Sequence, residues 1–330
     1  MTEMMTQCLL RMIDVEHVLA DYQSETTPRW CAGCGDSAIL TAMQKLCRDE
    51  NLEPEKTVCV SGIGCSSRLP HYMNAYGFHG VHGRALPLAE GVRIRRPDLN
   101  VFVTTGDGDC CSIGAAHWIH AIRYNMNLTV LLHDNGVYGL TKKQASPTSP
   151  RGLQTNTTPR GAKLEPINPL SVTLGVSNVS FVAQAVDWIP DMLYEILRKA
   201  YRHRGLSFIR ILQRCPEFMA HRYDDWVRDP MRMRILTHAN GMRIKPADSR
   251  VFRNQETHDP SNMEHARALA NLQDEIAVGI LYHDPTVPCY DDLCAGERPN
   301  TPALVETVLN EEFDKVTIWP EADVGPIVAE

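Results

Sequence analysis

Apolar and polar positions switch between two periods along the chain. Val101-Phe102-Val103-Thr104-Thr105 is a short β-rich run that stops at Gly106-Asp107-Gly108-Asp109. Over residues 111–125 the spacing becomes helical, with Ile113, Trp118, Ile119 and Ile122 on one broad face. Residues 128–132 form a second apolar run, closed by His133-Asp134-Asn135. Strand, turn, helix, strand is one βαβ unit. A right-handed crossover makes its two strands parallel, so their carboxyl ends share the sheet edge where open α/β folds bind ligands.

The same alternation continues on both sides. The pattern predicts helices over 36–48, capped by Asp36-Ser37, over 85–95 and over 188–203, and strands over 57–61, 179–183 and 207–213. Further helices are expected over 262–275 and 302–314, the second with Thr301 as N-cap and Pro302 at its first position. A long Pro-, Ser- and Thr-rich loop runs from 141 to about 169, and loops of that length are usually functional. Residues 1–25 read as a helical arm with Leu9, Leu10, Met12, Ile13 and Val15 as an apolar stripe. The fold class is α/β, a mostly parallel sheet with helices on both faces. Its parts are an N-terminal arm (1–25), a main domain (26–220) and a C-terminal extension (221–330) that packs on the same domain or on a partner.

Composition narrows the function. The 330 residues are 43% hydrophobic and 22% charged, as in an ordinary globular protein. A net charge of −7 argues against nucleic acid. No apolar run has transmembrane length, and the N-terminus lacks a basic region followed by an apolar core. Eleven cysteines suit a reducing, cytoplasmic setting in which thiols serve metals or redox chemistry.

The candidate chemistry gathers at the strand ends. Asp107 and Asn135 offer hard oxygens on one edge, and with a backbone carbonyl they would suit Mg²⁺ carrying a diphosphate. Gly106 and Gly108 allow a tight turn beside that phosphate, and the next helix points N–H groups at it. Cys31 and Cys34 form a CxxC on a glycine turn, open to zinc, iron–sulfur or redox-pair readings. Cys65, in the Gly-rich loop after the strand at 57–61, is a third candidate ligand, and Cys215, at another strand end, is a fourth. Ser66 and Ser67 would donate to a phosphate or a bound ring, or cap a helix. His82 and Arg84, around Gly83, suit anions. Cys110 and Cys111 read as packing residues, and Cys289 and Cys294 as incidental. The arginine-rich stretch 220–253 reads as a solvated face or a docking surface for an acidic partner.

Gly-Asp-Gly followed, after 26 residues, by Asn resembles the thiamine-diphosphate motif. WCAGCG, GIGCSSR, HGRA, GDGDCCSIG, DNGVYGLTKKQASPT and the Cys-Pro at 215 together resemble the β subunit of the 2-oxoacid:ferredoxin oxidoreductases over residues 30–216. The resemblance implies a thiamine-diphosphate-binding fold, with Mg²⁺ on Asp107, Asn135 and the carbonyl of Val137. It places Ser66, Ser67, His82, Gly83, Gly106, Asp107, Gly108, Asp109, Asn135, Val137, Tyr138, Gly139, Leu140 and Thr141 around the cofactor. It assigns Cys31, Cys34, Cys65 and Cys215 to one [4Fe–4S] cluster. The implied reaction is CoA-dependent oxidative decarboxylation of a 2-oxoacid, or its reverse, with electrons leaving to ferredoxin. No glutamate stands in the motif that activates thiamine. A partner α subunit is expected to supply that glutamate and much of the CoA site, in an α2β2 assembly. Arg68, with Arg84 second, is the expected cation for a distal carboxylate, which favours 2-oxoglutarate over pyruvate. Rival readings are the same chemistry on another 2-oxoacid, a non-redox thiamine enzyme, a pure electron relay and a zinc-stabilised scaffold.

Overall fold

The computed structural model describes residues 16–295 together with 307, 310, 311 and 313–315. Of the described residues, those up to Asp291 form one compact unit and those from Asp292 on belong to another. The expected helix at 302–314 and the apolar stripe of the arm fall largely or wholly outside the described residues.

The first unit is built on a nine-stranded sheet. In chain order its elements are α1 (Asp36–Asp49), β1 (Thr57–Ser61), β2 (Tyr76–His79), α2 (Ala85–Arg95), β3 (Asn100–Gly106), α3 (Ala115–Tyr124), β4 (Leu128–Asp134), β5 (Val137–Tyr138), β6 (Gln144–Ala145), α4 (Pro169–Thr173), β7 (Phe181–Val186), α5 (Pro190–Arg202), β8 (Leu206–Leu212), α6 (Asp224–Arg228), β9 (Met233–Thr237), α7 (Pro246–Val251), β10 (Gln255–Thr257), α8 (Met263–Ala270) and β11 (Ile276–His283). Strand order is β10-β9-β11-β7-β8-β4-β3-β1-β2, and β5 and β6 form a separate hairpin. All six strands from β7 to β2 are mutually parallel. β11 pairs antiparallel with β7, and β9 and β10 follow β11's direction. Residues 233–283 of the C-terminal extension therefore continue the sheet.

Both sheet faces are covered, which is why the central strands read as unbroken apolar runs. One core packs α1 and α5 on Leu131, Ile209 and Ala183. The other packs α2 and α3 on Val103, Val130 and Phe208.

The structure differs from the sequence pattern in several places. The helix expected over 111–125 begins as a π-helical turn at Asp109–Ile113, breaks at Ser112 and restarts as α3. That offset breaks the expected face. Trp118 and Ile122 are buried with Ala121, whereas Ile113 and Ile119 are exposed. Asp36 does not cap α1; Gly35 holds the N-cap position, and the Asp36 carboxylate turns into the core. The helix expected over 262–275 is shorter, with the Asn262 side chain accepting from the His265 amide. β2 is fully exposed along its length, so it carries no buried apolar period by which it could be found. Among the described residues, no helix is long and apolar enough to cross a membrane.

Candidate cofactor and cysteine site

Register brings the strand ends together. Gly106 of β3 pairs with His133 of β4, which pairs with Ile211 of β8. The segments that follow β3, β4 and β1 enclose a cavity of about 430 Å³. It is lined by Cys65, Ser66, His82, Gly106, Asp107, Gly108, Asp109, His133, Asn135, Val137, Tyr138, Gly139, Leu140 and Thr141, among others. Twelve of the fourteen positions expected around the cofactor therefore line one cavity. Ser67 is not among them: it is fully buried, and its backbone carbonyl takes the Ser61 hydroxyl. Gly83 serves indirectly, its N–H donating to Asp109 Oδ1 at 2.7 Å.

Asp109 turns out to be an organiser of loops. Its carboxylate also accepts from the Ile63 amide at 3.1 Å and the Thr105 hydroxyl at 2.7 Å, and His82 Nδ1 lies 2.7 Å away. One buried carboxylate thus ties three segments together and orients the His82 ring, leaving its Nε2 for other partners. A Cβ at Gly62 would collide with this carboxylate, and a Cβ at Gly108 would collide with the Tyr138 ring. The Tyr138 hydroxyl donates to the Gly108 carbonyl at 2.9 Å, so the β5–β6 hairpin is pinned to the Gly106–Asp109 turn.

The proposed cation ligands have the right donor chemistry. Asp107 is almost wholly buried, and burial together with the charge of Asp134 pushes its carboxyl up to about 6. The Thr148 hydroxyl lies 2.7 Å from Asp107 Oδ2 and 2.8 Å from Asp134 Oδ1. A hydroxyl has one proton, so it can donate to only one of two ionised carboxylates. Burial opposes ionisation of Asp134, but Arg210 and Arg222 outweigh it and hold that carboxyl below the usual range. Asp107 is left as the carboxylate without a cationic partner of that kind, a position that a divalent ion would suit. Asn135 Oδ1 accepts from the Val137 amide at 3.0 Å, and its Nδ2 donates to Gln213 Oε1 at 2.8 Å. Two oxygen ligands and a nearby backbone carbonyl on one cavity wall fit Mg²⁺ bearing a diphosphate.

The four expected cysteines, Cys31, Cys34, Cys65 and Cys215, line a second cavity of about 240 Å³. Three contacts draw their loops together. Trp30 Nε1 donates to the Cys65 carbonyl at 2.8 Å, Gly35 N donates to the Arg214 carbonyl at 3.1 Å, and Gln213 Nε2 lies 3.3 Å from Cys34 Sγ. Burial, then the charge of Asp36, pushes the thiols of Cys34 and Cys65 up, the latter to about 12, and burial raises Cys215. Unpaired, they are thiols; a metal centre would take them as thiolates and release protons. Four sulfurs framing one cavity fit the Cys₄ ligation of an iron–sulfur cluster. Among the described residues, no three His, Cys, Asp or Glu side chains converge on a single-ion site.

The two cavities share Cys65, Asn135, Gly139 and Leu140 as a common wall. Gly139 lets the hairpin pass close to sulfur: a Cβ there would sit 3.5 Å from Cys65 Sγ and 3.9 Å from Cys215 Sγ. Arg68 lines the cysteine cavity, its guanidinium 5.9 Å from the Tyr72 ring centroid. Arg84 lines neither cavity, and its Nη1 donates to the carbonyls of Gly83 and Ile113. Cys110 and Cys111 are buried in the core, as expected of packing residues. Arg222, counted with the solvated arginines, is instead turned inward, donating to the Thr148 carbonyl and the Tyr223 hydroxyl. Arg228, Arg232 and Arg234 pair with local carboxylates.

Residues 62–211 match the family described as thiamine pyrophosphate enzyme, C-terminal TPP binding domain. Residues 248–298 match the C-terminal family of the pyruvate ferredoxin oxidoreductase beta chain. The chain is 38% identical over 296 residues to 2-oxoacid:ferredoxin oxidoreductase 1, subunit beta, of Aeropyrum pernix, covering 87% of this chain and 89% of that one. The chain belongs to the β subunits of the 2-oxoacid:ferredoxin oxidoreductases. Within that family, it is 45% identical over 221 residues to 2-oxoglutarate oxidoreductase subunit KorB of Mycobacterium tuberculosis, a match covering 67% of this chain and 59% of the relative. A solved relative is 2-oxoglutarate:ferredoxin oxidoreductase from Magnetococcus marinus with 2-oxoglutarate, coenzyme A and succinyl-CoA bound. It superposes with a TM-score of 0.75 at 33% identity, over 89% of this chain and 96% of that one.

Sequence reasoning missed Asp36, His133, Asp134, Thr148, Gln213 and Arg222. A signal was present for two: His133 and Asp134 are polar residues ending a strand that is otherwise apolar but for Thr129. His133 Nδ1 lies 2.7 Å from Asp36 Oδ1, while its buried Nε2 has no protein partner and its ring lines the cofactor cavity.

Proposed function

We propose that this chain is the cofactor-carrying β subunit of a 2-oxoglutarate:ferredoxin oxidoreductase, forming succinyl-CoA and CO₂ or running the reverse carboxylation. The observation that carries this reading is the wall shared by the metal–diphosphate cavity and the four-cysteine cavity. Thiamine diphosphate, when bound, supplies the nucleophile for the keto carbon, and a [4Fe–4S] cluster accepts the two released electrons one at a time. Asp107, Asn135 and the Val137 carbonyl would hold Mg²⁺. His82, fixed by Asp109, lines the same cavity, and Gly106 and Gly108 let the backbone approach the diphosphate. Cys31, Cys34, Cys65 and Cys215 would hold the cluster on the far side of the shared wall, where it would supply one-electron transfer toward ferredoxin.

The activating glutamate and most of the CoA site fall to an α subunit, in an α2β2 assembly working in the cytoplasm. Relatives named for 2-oxoglutarate, one of them solved with that acid bound, support this substrate. Among the described residues Arg68 makes no ion pair, so its charge is available to a distal carboxylate.

The test is the complex purified anaerobically. About four irons and matching sulfide per chain, bound thiamine, and bleaching of the cluster on adding 2-oxoglutarate and CoA are expected. Zinc without iron, or a cluster that no 2-oxoacid reduces, overturns the reading. Arg68→Ala should raise KM for 2-oxoglutarate far more than for a monocarboxylic oxoacid; equal effects would remove Arg68 from substrate recognition.

A further inference from the structure

Gln213 follows β8 directly and is almost wholly buried. Its backbone N–H donates to the Asp134 carbonyl at 2.9 Å, which fixes where the side chain starts. The orientation of its amide is set by its neighbours. Asn135 Oδ1 is occupied by the Val137 N–H, so Asn135 presents Nδ2 to Gln213 Oε1 at 2.8 Å. The Gln213 amino group must then face the other way, where it meets Cys34 Sγ at 3.3 Å and the Arg214 carbonyl. Cys34 also faces the Asp36 carboxylate, with Oδ2 at 3.5 Å from Sγ. A thiolate at that position would be repelled by Asp36, and Gln213 supplies a side-chain N–H donor to offset the repulsion.

We propose that Gln213 is a positioning residue that couples the two cofactor sites, holding Asn135 for its cation and donating a hydrogen bond to the Cys34 sulfur. The inference rests on the function proposed above. A cation on Asn135 Oδ1 polarises the Asn135 N–H, which polarises the Gln213 amide, which strengthens its hydrogen bond to sulfur. Hydrogen bonds to cluster sulfurs favour the reduced, more negative state and raise the potential. The cluster therefore becomes the better electron acceptor when the metal–diphosphate site is filled.

The experiment is an EPR-monitored redox titration of the anaerobic complex, loaded with Mg²⁺ and thiamine diphosphate and again after both are stripped. The wild type should show a higher midpoint potential when loaded. Gln213→Met, similar in length but without amide donor or acceptor, should lower the potential and abolish the difference. It should also weaken Mg²⁺–thiamine diphosphate binding about 10-fold or more, as loss of an outer-shell partner does. Gln213→Glu keeps an oxygen for Asn135 but puts a carboxylate in place of the donor to sulfur, so the difference between loaded and stripped protein should vanish. Identical potentials for loaded and stripped wild type overturn the inference, as does a wild-type difference retained in Gln213→Met. If Gln213→Met takes up no iron, Gln213→Glu decides, and a wild-type difference between loaded and stripped protein in that variant overturns the inference. A wild type without iron overturns the functional reading and this inference with it; iron present but uncoupled overturns this inference alone.

Discussion

His133 Nδ1 and Asp36 Oδ1 meet at 2.7 Å across 97 residues of sequence, both side chains almost wholly buried. The pair joins the end of β4 to the start of α1, and so joins the floor of the cofactor cavity to the cysteine loop. Removing one partner leaves the other buried without its hydrogen bond. Asp36→Leu and His133→Phe should each cost about 3 kcal/mol, whereas the Asp36→Leu/His133→Phe double variant should be destabilised by less than the sum. Urea unfolding of the four proteins measures this, and strictly additive losses would show that the pair does not act as a unit.

The Thr148 hydroxyl between Asp107 and Asp134 is the second testable feature. Thr148→Val preserves shape and removes the proton the two carboxylates compete for. Affinity for Mg²⁺–thiamine diphosphate should fall about 10-fold, measured by calorimetry on the stripped protein. Unchanged affinity would mean that Asp107 is held without help from the Thr148 hydroxyl.

Gly108 packs where a Cβ would overlap the Tyr138 ring. Gly108→Ala should therefore displace the hairpin from the diphosphate turn, costing roughly 1–3 kcal/mol and cofactor affinity. The Gly108→Ala/Tyr138→Ala double variant should recover part of the stability. No recovery would place the strain elsewhere.

The fourth prediction concerns acid. His203 lies 3.2 Å from His283, with Ser180 Oγ 2.8 Å from its other nitrogen; burial first, then His283, pull its imidazole down to about 4. Burial lowers His238, His258 and His283 as well. A depressed histidine stays neutral when folded while the unfolded chain takes up a proton. Its contribution is complete above the ordinary value of 6.5 and is lost as pH falls from there toward 4. Stability should drop on the order of 3 kcal/mol through His203 over that window. Urea midpoints at several pH values test this, and His203→Asn should flatten the profile. An equally steep profile in that variant would assign the acid sensitivity to other groups.

The βαβ unit around Gly106–Asp109, the helices at 36–48 and 85–95 and the four cysteines were legible because each rests on local pattern. Apolar period, glycine turns and strand ends are properties of a few adjacent residues. β2 and β9–β11 were not read: β2 is exposed along its length, β9 and β10 are only five and three residues long, and all four take their strand character from pairing with a distant neighbour. The π-turn at Asp109–Ile113 was likewise hidden, since it shifts a helical face without changing the apolar count.

Short-range periodicity and residue chemistry settle the fold class, the strand-end positions of Asp107, Asn135, Cys65 and Cys215, and the thiamine-type motif, so all of these stand in the sequence. Which polar side chains connect them is a matter of tertiary structure. Gln213 meets Asn135 across 78 residues and Cys34 across 179, and Thr148 meets Asp107 across 41. Those meetings depend on the register of β4 against β3 and β8, which seats His133 between Gly106 and Ile211. A slip of one residue would turn His133 to the opposite face of the sheet and shift the strand ends from which Asn135 and Gln213 start.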